Sequence, residues 1–346
     1  MRLRQLGTCL ITLLILCRAL HAADTKADAP FGVPSDDAIA KATKLVRQTF
    51  ATEYAAATNL TQRAALARRL LKEALDTKDD VPARYVLLCE CRDLAATSAD
   101  APTACRAIDQ LVKTYGVAPG EMTLSALSTA ARVALTAPGQ ESLARCALLA
   151  TDAALQRDDY DLAARLATLA EATATKSKKI VLLTDAQEKV KEVNWAAQEY
   201  AQAKSALEAL NTKPDDPRAR AAAGRFKCLV KNDWEHGLPL LLECADARFK
   251  LLAEHDQAAQ TAGATVQARI ADQWWELGEG YLGRARIACR TRAAHWYKLA
   301  APKLSGIQRT LAEKRLDEID LARLREMNLA PGLSAEVFEG QQFGKS

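Results

Sequence analysis

The stretch that decides the fold lies late in the chain. It runs Trp274-Trp275-Glu276-Leu277-Gly278-Glu279-Gly280-Tyr281 and is answered a little further on by Ala293-Ala294-His295-Trp296-Tyr297-Lys298-Leu299-Ala300-Ala301-Pro302. Trp274, Leu277, Gly278 and Tyr281 recur at helical intervals, as do Ala293, Tyr297 and Ala300. A small residue beside large ones lets a neighbouring helix come close while the bulk fills the groove. Trp274 and Trp275 stand about 100° apart around a helix. Trp274 is therefore the packing residue, and Trp275 joins an adjacent helix or lines a groove where a ligand could stack.

The same grammar is found upstream. Tyr160, Ala163, Ala167 and Ala170 are separated by three, four and three residues; Trp234, Gly237, Leu241 and Cys244 repeat the spacing, and Ala104, Ala107, Leu111 and Thr114 follow it more loosely. Asp158-Asp159-Tyr160-Asp161 and Lys231-Asn232-Asp233-Trp234 place a polar turn and an aromatic at matching points. Helix starts are marked by Ser35-Asp36-Asp37 after Pro34, and by Asp80-Val81-Pro82, Asp100-Ala101-Pro102 and Asp216-Pro217. In each of the last three, Asp supplies a cap oxygen and Pro sits in the first turn, where its missing N–H costs nothing. Gly116, Ala137-Pro138-Gly139 and Pro214 read as stops.

Ile39, Val46, Phe50, Tyr54 and Ala57 form one stripe on the first helix, and a second helix spans Thr61 to Asp76. The longest helix runs from about Lys178 to Asn211, with Leu182, Val190, Val193, Ala197, Tyr200, Leu207 and Leu210 on one side, and the last covers about Ser305 to Asn328. No strand-like alternation occurs before residue 330. Alanine, the best helix former, is roughly a fifth of the chain. Of the 346 residues, 49% are hydrophobic and only 5% aromatic, with 15 Gly and 9 Cys. That apolar content excludes disorder, and so few Gly and Cys exclude a collagen-like or disulfide-dense scaffold.

Trp274, Leu277, Gly278 and Tyr281 fit the tetratricopeptide pattern Trp-x-x-Leu-Gly-x-x-Tyr in register, and Ala293, Tyr297 and Ala300 supply its second half, with Pro302 shortly after. About three extra residues, Arg284 to Arg286 among them, separate the halves, which predicts a longer turn than in a standard repeat. The region resembles a degenerate tetratricopeptide-type hairpin, and residues 35–328 resemble helical repeats as a class. The resemblance implies stacked antiparallel helix pairs with a concave surface used for protein or peptide contacts. The expected fold is all-α: a tetratricopeptide-like α-solenoid of about 14 helices. It is divided into an N-terminal repeat region at 35–177, a long connecting helix at 178–211 and a C-terminal tetratricopeptide-like region at 212–328.

The ends read differently. Arg2, Arg4 and Arg18 flank an apolar run from Leu6 to Cys17, followed by Leu20-His21-Ala22-Ala23, the layout of a signal peptide over 1–22. Its apolar core is too short to span a membrane. The expected address is periplasm, cell envelope or exterior. A flexible linker is expected over 23–34. The 47 bases, less three arginines in the leader, face 43 acids, so no basic field points to nucleic acid. Beyond Ala330-Pro331-Gly332 an extended tail fills 329–346. There Leu333 to Gly340, with Phe343, resembles the opening strand of a protective-antigen-type β-barrel domain, with Val337 in place of an aromatic. Members of that class often bind carbohydrate, but the barrel needs far more residues than follow.

The chemistry search finds little. No Cys-x-x-Cys, His-Glu-x-x-His, Gly-x-Ser-x-Gly, phosphate loop or dinucleotide loop occurs. The seven cysteines outside the leader read as apolar fillers at helix contacts. His295 reads as the polar edge of a packed helix, Asp158, Asp159 and Asp161 as capping groups, and Lys176 to Lys179 as a solvated turn. No catalytic residue, metal or cofactor is expected. The candidate ligand groove comprises Trp275, Arg284, Arg286, Arg290, Arg292 and Trp296, whose guanidinium groups and aromatics suit an acidic peptide or anionic glycan. The expected function is exported, non-catalytic protein or glycan binding or scaffolding. The alternatives are a carbohydrate-active helical toroid using Glu276 or Glu279, and a stalk presenting a C-terminal carbohydrate-binding domain.

Overall fold

A computed structural model describes residues 31–329, with side chains to residue 320. The leader, most of the linker and the barrel-like tail lie outside them. Among the described residues there are 15 α-helices and no strand. They are α1 (Asp36–Thr49), α2 (Ala51–Ala56), α3 (Leu60–Asp76), α4 (Val81–Thr97), α5 (Ala101–Tyr115), α6 (Gly120–Val133), α7 (Ala137–Gln156), α8 (Tyr160–Ser177), α9 (Ile180–Thr212), α10 (Pro217–Arg225), α11 (Trp234–Leu242), α12 (Ala247–Ala259), α13 (Ala264–Glu279), α14 (Gly283–Ala300) and α15 (Gly306–Leu329). Each packs on its successor, and α4 on α6, α5 on α7, α6 on α8 and α7 on α9 pack one further along. Neighbour and next-neighbour contacts of this kind define an all-α helical-repeat solenoid.

The starts form where aspartate can cap them. Asp80, Asp100 and Asp216 accept from the backbone N–H of Ala83, Thr103 and Ala219, each with a proline in the first helical turn. Ser35 caps α1 through the N–H of Ala38. The grammar shared by three hairpins has a backbone cause: Ala99, Asp158 and Asn232 all adopt positive φ (61°, 60° and 54°). Each is followed by a capping aspartate, Asp100, Asp159 or Asp233, and then by the first residue of the next helix. The left-handed residue reverses the chain, and the N–H groups of Asp100 and Asp159 return to the carbonyls of Ala95 and Ala154.

Three expectations are corrected. Ala137-Pro138-Gly139 starts a helix instead of ending one, because Thr136 accepts from the Gly139 N–H and Pro138 sits in the first turn; the preceding helix has already stopped at Val133. The stripe from Ile39 to Ala57 is split at Phe50, which is buried between α1 and α2. The turn between the two halves of the late motif is short, residues 280–282 only. Arg284 to Arg286 lie inside α14, whose N-terminus begins early at Gly283.

Three main cores run along the stack. The first holds Val46, Leu70, Leu88 and Ile108; the second Leu127, Leu143, Leu155, Leu166 and Val193; the third Leu241, Trp274, Leu277, Trp296 and Tyr297. A π-helical turn at Phe226–Val230 joins the last two. Phe226 and Val230 pack into the second core, Cys228 and Leu229 into the third. Small residues set the spacing. A Cβ on Gly278 would lie 3.0 Å from the Cys289 Cβ, and one on Gly237 would lie 2.4 Å from Cys228 Sγ and 3.1 Å from the Cys228 backbone nitrogen. No described helix is long and apolar enough to cross a membrane.

Gly237→Ala is expected to destabilise the protein by about 1–3 kcal/mol, because the methyl meets both sulfur and backbone of a tightly packed turn. The fall in urea midpoint at unchanged slope is the measurement that checks it.

Candidate functional site

Helices distant in sequence converge on one cleft. Its walls are α7, α9 and the start of α14, and it encloses about 510 Å³. Leu148, Leu149, Leu182 and Ile287 give it an apolar lining, while Arg145, Asp152, Asp185, Glu188, Lys189 and Arg284 supply charge. Apolar surface crossed by a few placed polar groups is the usual make-up of a binding site.

Its inner end is fastened by Glu192 of α9. This carboxylate is only 4% exposed. One oxygen accepts from Lys189 Nζ at 2.6 Å; the other accepts from the Arg284 backbone N–H at 3.0 Å and from Arg284 Nε at 3.2 Å. Lys189 also donates to Asp152 at 2.7 Å. Helix α14 has no side-chain cap of its own, so a carboxylate 92 residues away serves as one, placed where the helix dipole favours negative charge. Gly283 is required by this arrangement: its φ is +52°, and a Cβ there would stand 2.2 Å from the Glu192 carboxyl carbon.

Burial works to raise the Glu192 pKa, but Lys189 and Arg284 outweigh it and hold the group below its ordinary value. Lys189 is likewise held above its ordinary value by Glu192 and Asp152, against the opposing effect of burial. Asp185, on the cleft wall, shows the contrary pattern: burial first, then the neighbouring Glu188, raises it. Arg145 and Lys189 offset only part of this, Arg145 being paired with Glu141, and Lys189 with Asp152 and Glu192.

The six residues expected to share a groove are distributed around α14 and its partners. Only Arg284 lines the cleft, where it is engaged by Glu192. Arg292 and Trp296 turn inward to Asp256 of α12, which is fully buried. Asp256 Oδ2 accepts from Trp274 Nε1 at 2.6 Å, Trp296 Nε1 at 2.8 Å and Arg292 Nε at 2.9 Å, and the guanidinium also pairs with Oδ1. Trp296 is 1% and Trp275 7% exposed, so each joins a helix contact. Arg286 and Arg290 share a different face, roughly 200° around α14 from Arg284. Arg290 lies 4.5 Å over the Trp275 ring and donates to Glu279 at 2.9 Å. Arg315 of α15 approaches the same ring at 5.1 Å and pairs with Asp272.

The other groups singled out by sequence take structural places. Asp159 caps α8, and Asp158 accepts from the Tyr160 hydroxyl and from Lys231, tying one hairpin turn to another. His295 is exposed, edge-on to Trp296, with its pKa lowered by burial and by Arg292. Glu276 is exposed, and Glu279 is held low by its hydrogen bond from Arg290. The residues that sequence reasoning missed are Asp152, Asp185, Lys189 and Glu192. No local signal marks them: Glu192 is followed by the stripe residue Val193 but stands about 100° from it around α9, and only the packed helices bury it. Comparison with protein-family models, curated proteins and solved structures finds no match.

Glu192→Gln is expected to cost about 2–4 kcal/mol at pH 7, since it leaves buried cations short of a partner. A depressed carboxylate stabilises the fold above its ordinary pKa of 4.5 and loses that contribution as pH falls below it. The deficit of the variant against the parent, measured by urea denaturation, is therefore largest at pH 7 and shrinks toward pH 3.

Proposed function

We propose that this protein is an exported, non-catalytic helical-repeat module that binds or scaffolds a protein partner in the cell envelope or outside the cell. The late tetratricopeptide-like motif and the signal-peptide layout of residues 1–22 support that reading. The observation that carries it is the cleft between α7, α9 and α14, in which an apolar lining lies beside Asp185 and Glu188, two carboxylates whose neighbouring cations are engaged elsewhere. The occupant that suits it is an extended peptide segment with apolar side chains for Leu148, Leu182 and Ile287 and a lysine or arginine for the carboxylates. A cation there relieves the repulsion between Asp185 and Glu188, and the pre-formed helical walls add no ordering cost.

The test uses a fluorescein-labelled peptide of alternating lysine and leucine, titrated by anisotropy at two salt concentrations. Binding is expected to weaken with salt, and the Asp185→Asn/Glu188→Gln double variant to weaken it about tenfold, equivalent to about 1.4 kcal/mol. Equal affinity of parent and variant would remove the cleft from consideration.

A second reading, capture of an acidic peptide or anionic glycan by α14, is favoured by one observation: Arg290 lies 4.5 Å over the Trp275 ring, with Arg286 on the same side of its helix. Helix α15 adds Arg315 beside the same Trp275 ring. Here a poly-glutamate peptide and a sulfated oligosaccharide are the probes. Replacing Arg286 and Arg290 together by alanine is expected to reduce retention at least tenfold. Undiminished binding by the double variant would end this reading without touching the first.

A further inference from the structure

Cys105 lies on α5 and Cys146 on α7, two helices that pack directly on one another although the residues are 41 positions apart. Both side chains line one cavity of about 260 Å³, walled otherwise by residues such as Ile108, Leu149 and Leu166. Cys146 is 2% exposed, belongs to the second core, and has Cys105 packed against that core. The neighbouring Cys146 thiol first, and burial next, push the Cys105 thiol well above the ordinary thiol range. The other cysteines have different surroundings. Cys228 meets Gly237, Cys289 meets Gly278, and Cys244 donates to the Asp246 carbonyl.

We infer that Cys105 and Cys146 are a cross-linking pair, joined by a disulfide that staples α5 to α7 when the chain folds in an oxidising compartment. Two cysteines that share one cavity across a packed helix interface are placed for such a bond, and the cavity leaves the sulfurs room to turn toward the right-angled dihedral. The reaction is thiol–disulfide exchange. One cysteine thiolate attacks a sulfur of an oxidant disulfide and displaces its other half as a thiolate. The second cysteine thiolate then attacks the mixed disulfide, so two protein thiols lose two protons and two electrons and the oxidant gains them as a pair of thiols. The folded environment buries Cys146 and raises the Cys105 thiol above its ordinary range. Exchange is therefore fastest while α7 is still settling onto α5.

The experiment uses the full wild-type chain, reduced and unfolded, then refolded with oxidised glutathione. It is alkylated under denaturing conditions and mapped by peptide mass. The expected result is a single linked species, two hydrogens lighter than the sum of its peptides, that contains Cys105 and Cys146, with Cys9, Cys17, Cys89, Cys91, Cys228, Cys244 and Cys289 alkylated. Reduction of that species lowers the melting temperature by about 5–10 °C, as expected for a link closing a loop of this length. Alkylation of both Cys105 and Cys146 after oxidative refolding, or a link from either to a different cysteine, would overturn the inference. Because the oxidant is added in vitro, the outcome does not depend on export, nor on what the α7–α9–α14 cleft binds.

Discussion

Close approach between alanine-rich helices is the constraint from which the rest of this structure follows. An alanine side chain buries little area, so its contribution to the core is modest unless backbones come near enough for dispersion contacts to accumulate. The chain meets that condition with glycine at close approaches such as Gly237 and Gly278, and with alanine elsewhere: Ala104, Ala107, Ala163, Ala167 and Ala170 are all essentially inaccessible. Smooth alanine surfaces fix spacing well but direction poorly, because they offer few ridges to interlock. Direction is supplied by a small number of buried ion pairs and hydrogen bonds whose geometry admits one arrangement.

Asp256 shows how this works. A single carboxylate on α12 receives indole N–H groups from α13 and α14 and a guanidinium from α14, so three helices are registered at one point. Asp272 does the same between α13, α14 and α15 by accepting from Tyr297 and Arg315. A carboxylate buried as Asp256 is costs several kcal/mol in desolvation, and the compensating bonds are strong only while all partners hold their places. The arginines of α14 are thus mostly engaged internally. Arg284 and Arg292 stabilise helix contacts, and Arg290 and Arg315, paired with Glu279 and Asp272, flank the Trp275 ring.

This division explains what could be read from the sequence and what could not. The helices, their caps at Asp80, Asp100 and Asp216, and the matched turns at Asp158 and Asn232 were legible because each depends on residues within one turn of the chain. Gly278 as a contact point was legible for the same reason. The stop assigned to Ala137-Pro138-Gly139 failed because Pro and Gly punctuate both ends of a helix; Thr136, whose hydroxyl decides between them, was not weighed. The arginine cluster failed as a single groove because helical geometry separates positions 284, 286 and 292, and the acids that claim two of them lie on α9 and α12. Nothing local in the sequence announces a partner 92 or 36 residues away.

The tie between Glu192 and Gly283-Arg284 matters most for function, because a solenoid ordinarily couples each repeat only to its neighbours. Here α9 is long enough to touch α7, α8, α10 and α14, and its buried carboxylate caps a helix five elements further on. The angle between the middle and C-terminal parts of the stack is therefore set by that contact as well as by the π-helical turn at Phe226–Val230. The cleft lies against this junction and draws its walls from both parts. Its width consequently depends on whether Glu192 remains charged and seated, and a peptide in the cleft would bear on the same carboxylate network through Asp185 and Lys189. The cleft and the inter-repeat geometry are linked through one helix face, and the glycine at 283 is the residue that permits the link.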